Sequence, residues 1–301
     1  MKSVKIVEVG LRDGLQNETT NLTVNQRFEL LEKLIDAGIK NFELGAFVSP
    51  DWVPQMAATS RLVEKYLKSN LNNKNNSASV LVPNEKGMLQ AVSNGVKEVA
   101  IFAACSETFS QKNINCSIDE SFERFEVVMK LAKKNKIKVR GYLSTCFGCP
   151  FEGGISESKV VELAKKMNAL GVYEISVGDT IGIAHAGQVQ SVFKKLLKVI
   201  PAKKLAGHFH DTRGQALTNI FAAFNLGIHT FDASIAGLGG CPYAPGATGN
   251  VATEDVVFMF QGLNAKTNVN LQKLINIHRW LQPKMDHLLP SKVGRIGLGK
   301  L

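Results

Sequence analysis

No apolar run in the chain approaches the ~20 residues a helix needs to cross a bilayer, so no membrane span is expected. The N-terminus, Met1-Lys2-Ser3-Val4-Lys5-Ile6-Val7-Glu8, lacks the apolar core of a secretory leader: Glu8 arrives too early, and the segment passes directly into a strand pattern. A cytoplasmic location is the expectation. A disulfide framework is missing as well, because the five cysteines (Cys105, Cys116, Cys146, Cys149 and Cys241) are an odd number without an export signal. Cys146 and Cys149 have CxxC spacing, but no second pair or HxxxH accompanies them, which argues against a zinc or redox motif. No GxGxxG follows the first predicted strand, which counts against a doubly wound dinucleotide-binding sheet. Nor does any linker cut the chain, so one domain over 1–301 is expected.

What remains is an ordinary globular composition with a basic bias. Hydrophobic content of 45% and charged content of 21% over 301 residues suit a soluble fold large enough to bury a full core. The net charge of +10 would serve nucleic acid or a polyanionic small molecule. The lysines decide between them. Lys130, Lys133, Lys134, Lys136 and Lys138, and again Lys194, Lys195, Lys198, Lys203 and Lys204, fall at the ends and outer faces of predicted helices. They read as solvated surface, and no nucleic-acid partner is expected.

Eight β-branched runs, at 4–11, 41–47, 78–82, 98–104, 138–145, 174–180, 205–211 and 230–237, alternate with helical patterns such as 24–37, 122–135, 158–170 and 216–226. Gly38, Gly95, Gly171 and Gly227 stand where helices stop. Strict alternation calls for a parallel sheet, and eight units in about 250 residues match a closed TIM (β/α)8 barrel. The barrel is expected over about 4–263 and a C-terminal extension over 264–301, with an added helix at 271–281 and a mobile Gly/Lys tail from 291. The Asn-rich stretch 70–79 reads as a solvated loop on the face away from chemistry.

Barrel enzymes draw their working residues from the carboxyl ends of several strands. The seventh run ends in His208-Phe209-His210, and residues i and i+2 of a strand project to the same side, so the two imidazoles converge. Arg12-Asp13-Gly14-Leu15-Gln16 follows the first run, Glu43 lies in the second, Gly178-Asp179-Thr180 closes the sixth, and Asn250 follows the eighth. Each has a plain structural role available: an Arg12–Asp13 ion pair, Glu43 as a buried partner for Arg12, Asn250 as a helix cap. Together, Asp13 and two histidines make a carboxylate-plus-imidazole set suited to a divalent cation. The same set describes non-haem Fe(II) sites; an amide oxygen from Asn250 favours a harder ion, Mg²⁺ or Mn²⁺, acting as a Lewis acid. Cys241 sits in a loop with five glycines between Gly237 and Gly249, which reads as a lid carrying a thiol that serves as nucleophile or as proton carrier.

At these residues the chain resembles the 3-hydroxy-3-methylglutaryl-CoA lyases, metal-dependent barrels related to a group of synthases. The resemblance covers nearly the whole length. Its most specific stretches are Arg12-Asp13-Gly14-Leu15-Gln16-Asn17-Glu18, Phe47-Val48-Ser49-Pro50, Gly148-Cys149-Pro150-Phe151-Glu152-Gly153, Gly178-Asp179-Thr180-Ile181-Gly182 and Ala236-Gly237-Leu238-Gly239-Gly240-Cys241-Pro242-Tyr243-Ala244. It implies that Asp13, His208, His210 and Asn250 hold the cation, and that an acyl-CoA substrate is cleaved to acetyl-CoA and acetoacetate by a retro-Claisen reaction of leucine breakdown and ketone-body formation. Arg12, Glu43, Asp179, His208 and Cys241 become the expected catalytic group, with Arg12 and Gln16 binding substrate; a homodimer is the expected assembly. Thr19 stands where many relatives carry Lys, so contacts to CoA are expected to be redistributed. The related synthases usually read Arg-Asp-Gly-Glu-Gln and carry a long C-terminal region; Leu15 and the end at Leu301 favour the lyase. A barrel reduced to a scaffold is disfavoured because the whole set of reactive residues is present.

Overall fold

The computed structural model describes residues 2–240 and 249–299. Its centre is a closed barrel of eight parallel strands in sequential order: β1 (Lys5–Glu8), β2 (Asn41–Ala46), β3 (Ser77–Leu81), β4 (Glu98–Ala104), β5 (Lys138–Ser144), β6 (Ile175–Asp179), β7 (Leu205–Phe209) and β8 (Thr230–Ala233). Closure is made by β1 against β8, in register from Lys5 beside Thr230 to Glu8 beside Ala233. This is the TIM (β/α)8 fold that the alternation predicts, with a C-terminal helix at Leu271–Leu281.

Where boundaries shift, local chemistry explains the shift. The helix expected from 122 begins at Ile118 because Ser117 and Glu120 form a reciprocal capping box. The first strand is shorter than expected because the chain leaves β1 through a wide π-type turn, Gly10–Gly14, which carries Arg12 and Asp13. β7 stops at Phe209, and His210 instead makes a lone bridge with Asn250. The tail from Ser291, expected to be mobile, is a correction. Lys292–Ile296 is a short helix in which Ser291 caps the Gly294 N–H, while Asp255 accepts bonds from the Ser291 hydroxyl and the N–H groups of Lys292 and Val293. A carboxylate that satisfies three donors at a helix start orders the segment.

One buried carboxylate ties the barrel seam together. Glu8 takes the N–H groups of Gly10 and Ile235 on one oxygen and the Thr253 hydroxyl on the other. Burial pushes its pKa up to about 7, against the pull of those three donors and with help from Glu254. The folded-state value lies above that of the unfolded chain, so this group contributes most to stability below about pH 4.5, and the contribution is lost as pH rises to about 7. Glu8→Gln keeps an acceptor oxygen and removes the titration. We expect urea unfolding of the variant to lose about 3 kcal/mol of pH dependence between pH 4.5 and 8 relative to the parent; identical pH profiles would show that Glu8 does not titrate in that range.

Candidate active site

A cavity of about 840 Å³ opens at the carboxyl ends of the strands, with Arg12, Asp13, Gln16, Tyr142, His208 and His210 in its wall. Closure of β1 on β8 brings the π-type turn beside β7. The Nε2 atoms of His208 and His210 then lie 3.7 and 3.9 Å from Asp13 Oδ2, and the two imidazole rings are 5.2 Å apart, centroid to centroid. Asn250 Nδ2 donates to the same carboxylate oxygen at 2.9 Å. One ligand atom from each of Asp13, His208 and His210 falls within 4.8 Å of the others. The histidine-to-Asp13 separations are too long for hydrogen bonds, and His210 Nδ1 is buried without a partner among the described residues. A carboxylate and two imidazole nitrogens that converge without bonding one another fit a divalent cation.

Two small residues allow this approach. A Cβ at Gly14 would meet Ser234 Oγ at 2.7 Å and Leu238 Cβ at 2.9 Å; Gly239 has φ +111° and a Cβ there would meet Asn250 Nδ2 at 2.8 Å.

The electrostatics follow from burial and pairing. Arg12 Nε and Nη2 are each 2.7 Å from Glu43 Oε2, and Nη1 reaches Asp13 Oδ1 at 2.5 Å. Its guanidinium also lies 5.5 Å from the Tyr142 ring centre. Burial works against the cation, but Glu43 and then Asp13 more than reverse that and hold Arg12 protonated. Burial would likewise raise Asp13; Arg12, His208 and His210 outweigh it and set its pKa at about 2. For Glu43 burial wins over Arg12, and its pKa is raised. The histidines part company. Burial and then His208 push His210 down to about 4, whereas His208 is raised, its burial outweighed by the bond to Asp232 and the charge of Asp13.

The fold thus brings Arg12, Asp13, Glu43, His208, His210 and Asn250 together, with Gln16 in the same wall. Asp179 is placed differently. Gly178 and Thr180 face the cavity, while the Asp179 oxygens accept the N–H groups of Ile183 and Ala184, both at 3.0 Å. Cys241 lies outside the described residues. Sequence reading missed Tyr142, in the cavity wall, and Arg140, Ser176 and Asp232, which fill the barrel interior below it. Arg140 is 2% exposed and donates to Glu174, Tyr142 and Asp232 at 2.9, 2.8 and 2.8 Å. The available signal was alternation in β5, which puts Arg140, Tyr142 and Ser144 on one face of a strand deep in the chain.

A closed parallel barrel with this cluster at its mouth defines a (β/α)8-barrel protein of the cation-site class. The chain belongs to the HMGL-like family, whose model matches residues 3–281. It is 48% identical over 297 residues to the mitochondrial hydroxymethylglutaryl-CoA lyase of Rattus norvegicus, covering 98% of this chain and 89% of the relative. Identity to the hydroxymethylglutaryl-CoA lyase of Pseudomonas mevalonii is also 48%, over 98% of this chain and 96% of that protein. Among solved structures, the hydroxymethylglutaryl-CoA lyase of Pseudomonas aeruginosa superposes with a TM-score of 0.93 at 44% identity, over 98% of this chain and 97% of that one.

Because both Asp179 oxygens bind backbone, Asp179→Ala is expected to lower unfolding free energy by about 2–3 kcal/mol in urea titration. Unchanged stability would show that these bonds hold nothing.

Proposed function

We propose that this protein cleaves 3-hydroxy-3-methylglutaryl-CoA to acetyl-CoA and acetoacetate, as a lyase that uses a divalent cation, Mg²⁺ or Mn²⁺. The reading is carried by one observation: a buried guanidinium adjoins the carboxylate–imidazole cluster in a chain that is 48% identical, over nearly all its length, to hydroxymethylglutaryl-CoA lyases. Asp13, His208, His210 and Asn250 would hold the cation. When bound, it supplies Lewis-acid polarisation of substrate oxygen.

The residues themselves account for the rest. Transfer of the tertiary hydroxyl proton to a carboxylate of the cluster lets the bond between the carbinol carbon and the thioester α-carbon break. The carbinol carbon becomes the ketone of acetoacetate, and the bonding pair passes to the thioester as an enolate. Arg12, kept cationic by Glu43 and Asp13, offers its charge to the enolate oxygen. Glu43 aims that guanidinium through Oε2, and burial, by raising its pKa, suits it to assist proton movement. Gln16, in the cavity wall, binds the acyl portion. Cys241 delivers the proton that converts the enolate to acetyl-CoA. His208, counted among the catalytic group by resemblance, has Nδ1 on Asp232, so a single nitrogen faces the cavity and goes to the cation. Asp179 supports the rim through the turn after β6. The animal relative named above is mitochondrial, but the bacterial ones support a cytoplasmic enzyme; we propose that, a homodimer, and a single barrel domain with its extension.

The purified protein with 3-hydroxy-3-methylglutaryl-CoA and Mn²⁺ is expected to yield acetyl-CoA and acetoacetate by mass spectrometry, and to stop on chelation; no products, or turnover indifferent to chelator, would refute the reading. Cys241→Ala is expected to cut kcat by about 10²–10⁴-fold with metal content retained, while His210→Ala loses metal by elemental analysis. Normal turnover in the first, or a full metal complement in the second, removes that residue from its role.

A further inference from the structure

The two histidines of the cluster differ in what stands behind them. His210 Nδ1 has no partner among the described residues. His208 Nδ1 lies 3.2 Å from Asp232 Oδ2, and that carboxylate is itself clamped. Arg140 Nη2 donates to Oδ1 at 2.8 Å and the Ser176 hydroxyl to Oδ2 at 2.6 Å. Arg140 in turn leans on Glu174, whose other oxygen takes Lys5 Nζ at 2.6 Å. Five strands contribute: β1, β5, β6, β7 and β8, with Glu174 at the entry to β6. The result is a column of alternating charge, Lys5, Glu174, Arg140 and Asp232, that runs up the interior to His208.

A carboxylate that already receives a guanidinium N–H and a hydroxyl O–H acts as an acceptor only. The atom facing it on the imidazole must then carry hydrogen, which leaves the lone pair of the neutral ring on the other nitrogen. We propose that Asp232 is a positioning residue: held by Arg140 and Ser176, it fixes the neutral ring of His208 in the Nδ1–H form, so that Nε2 is the nitrogen turned toward Asp13 before any cation arrives. His210 has no such partner and adopts its form only when the cation binds. The inference builds on the reading of His208 as a cation ligand. Its energetic sense is that one ligand is already oriented, so less ordering remains to be done at binding.

The test uses the full chain, freed of metal by chelator. Ring ¹⁵N shifts of the histidines, recorded at a pH high enough to keep both rings neutral, are expected to show His208 as Nδ1–H in the parent. In Asp232→Asn, whose amide can turn its N–H toward the ring, they are expected to show His208 as Nε2–H, with His210 unchanged as an internal control. Calorimetry with Mn²⁺ is expected to give a Kd about 10–100-fold weaker for Asp232→Asn. For Ser176→Ala, which loosens the carboxylate without removing it, about 10-fold is expected. The proposal is overturned by an Nε2–H form in the parent, or by Asp232→Asn keeping both the Nδ1–H form and its Mn²⁺ affinity. If Asp232→Asn does not fold, the parent spectrum together with Ser176→Ala decides: parental affinity in Ser176→Ala would overturn the clamp. His208→Ala separates the two readings, since parental Mn²⁺ affinity there would refute the ligand assignment while the tautomer measured without metal judges Asp232 on its own.

Discussion

Closure of β1 against β8 is the constraint from which the site follows. Asp13 leaves the end of β1, and its hydrogen-bonding partner Asn250 lies 237 residues further along the chain. No local preference brings such groups together; four in-register pairs at the seam do. Around that seam the sequence supplies its own fastenings. Glu8 binds backbone on both sides of it, and Gly14 lets the π-type turn sit against Ser234 and Leu238. Non-local pairing of this kind is entropically costly to reach, so the site exists only in the fully closed barrel.

The interior beneath it is unusual for a barrel, whose layers are commonly filled with branched aliphatics. Here Arg140, Glu174 and Asp232 are all nearly or wholly without exposure. A buried ion pair seldom stabilises a protein beyond what apolar packing would achieve. What the charges do provide is direction. A guanidinium has a planar fork that fixes the angle of each carboxylate it binds, and Asp232 passes that angle to an imidazole. Arg12 and Glu43 repeat the device one layer higher, nearer the cavity. Tyr142 links the two, its ring centre 5.5 Å from one guanidinium and 4.9 Å from the other. A pocket wall built on two such anchored cations does not have to reorganise when negative charge appears within it.

Much of this was legible beforehand, and the limits have physical causes. The alternation of short β-branched runs with helical patterns shows eight units because parallel strands, buried on both faces, leave little room for polar residues. The rim residues stand out for the converse reason: Arg12, Asp13, His208 and His210 are polar side chains at the ends of apolar runs. Arg140 and Asp232 lie within strands, where a lone charge cannot be told from a solvent-facing one until its partner is known, and the partner here is 92 residues away. Asp179 shows the opposite limit. Its position at the end of β6 points to the rim, but nothing in the sequence says that its oxygens turn back to the amides of Ile183 and Ala184. The ordered segment after Ser291 was hidden likewise, since Gly and Lys look solvated unless the acceptor at Asp255 is in view.

The stretch just before that segment bears on the mouth of the cavity. Thr19, where the family resemblance raises the expectation of a lysine, donates its hydroxyl to Asp286 Oδ2 at 2.6 Å, and the next side chain, His287, has Nε2 2.7 Å from Glu18 Oε2. The other oxygen of Glu18 accepts the Gly239 N–H at 2.9 Å, and Gly239 packs against Asn250 and the turn that carries Asp13. A lysine at position 19 would bring a cation to this edge of the cavity. Threonine gives that charge up and ties the edge to the C-terminal extension. The Thr19–Asp286 and Glu18–His287 bonds therefore tie residues 286 and 287 to the turn after β1, and Glu18 carries that tie on to Gly239, beside Asn250.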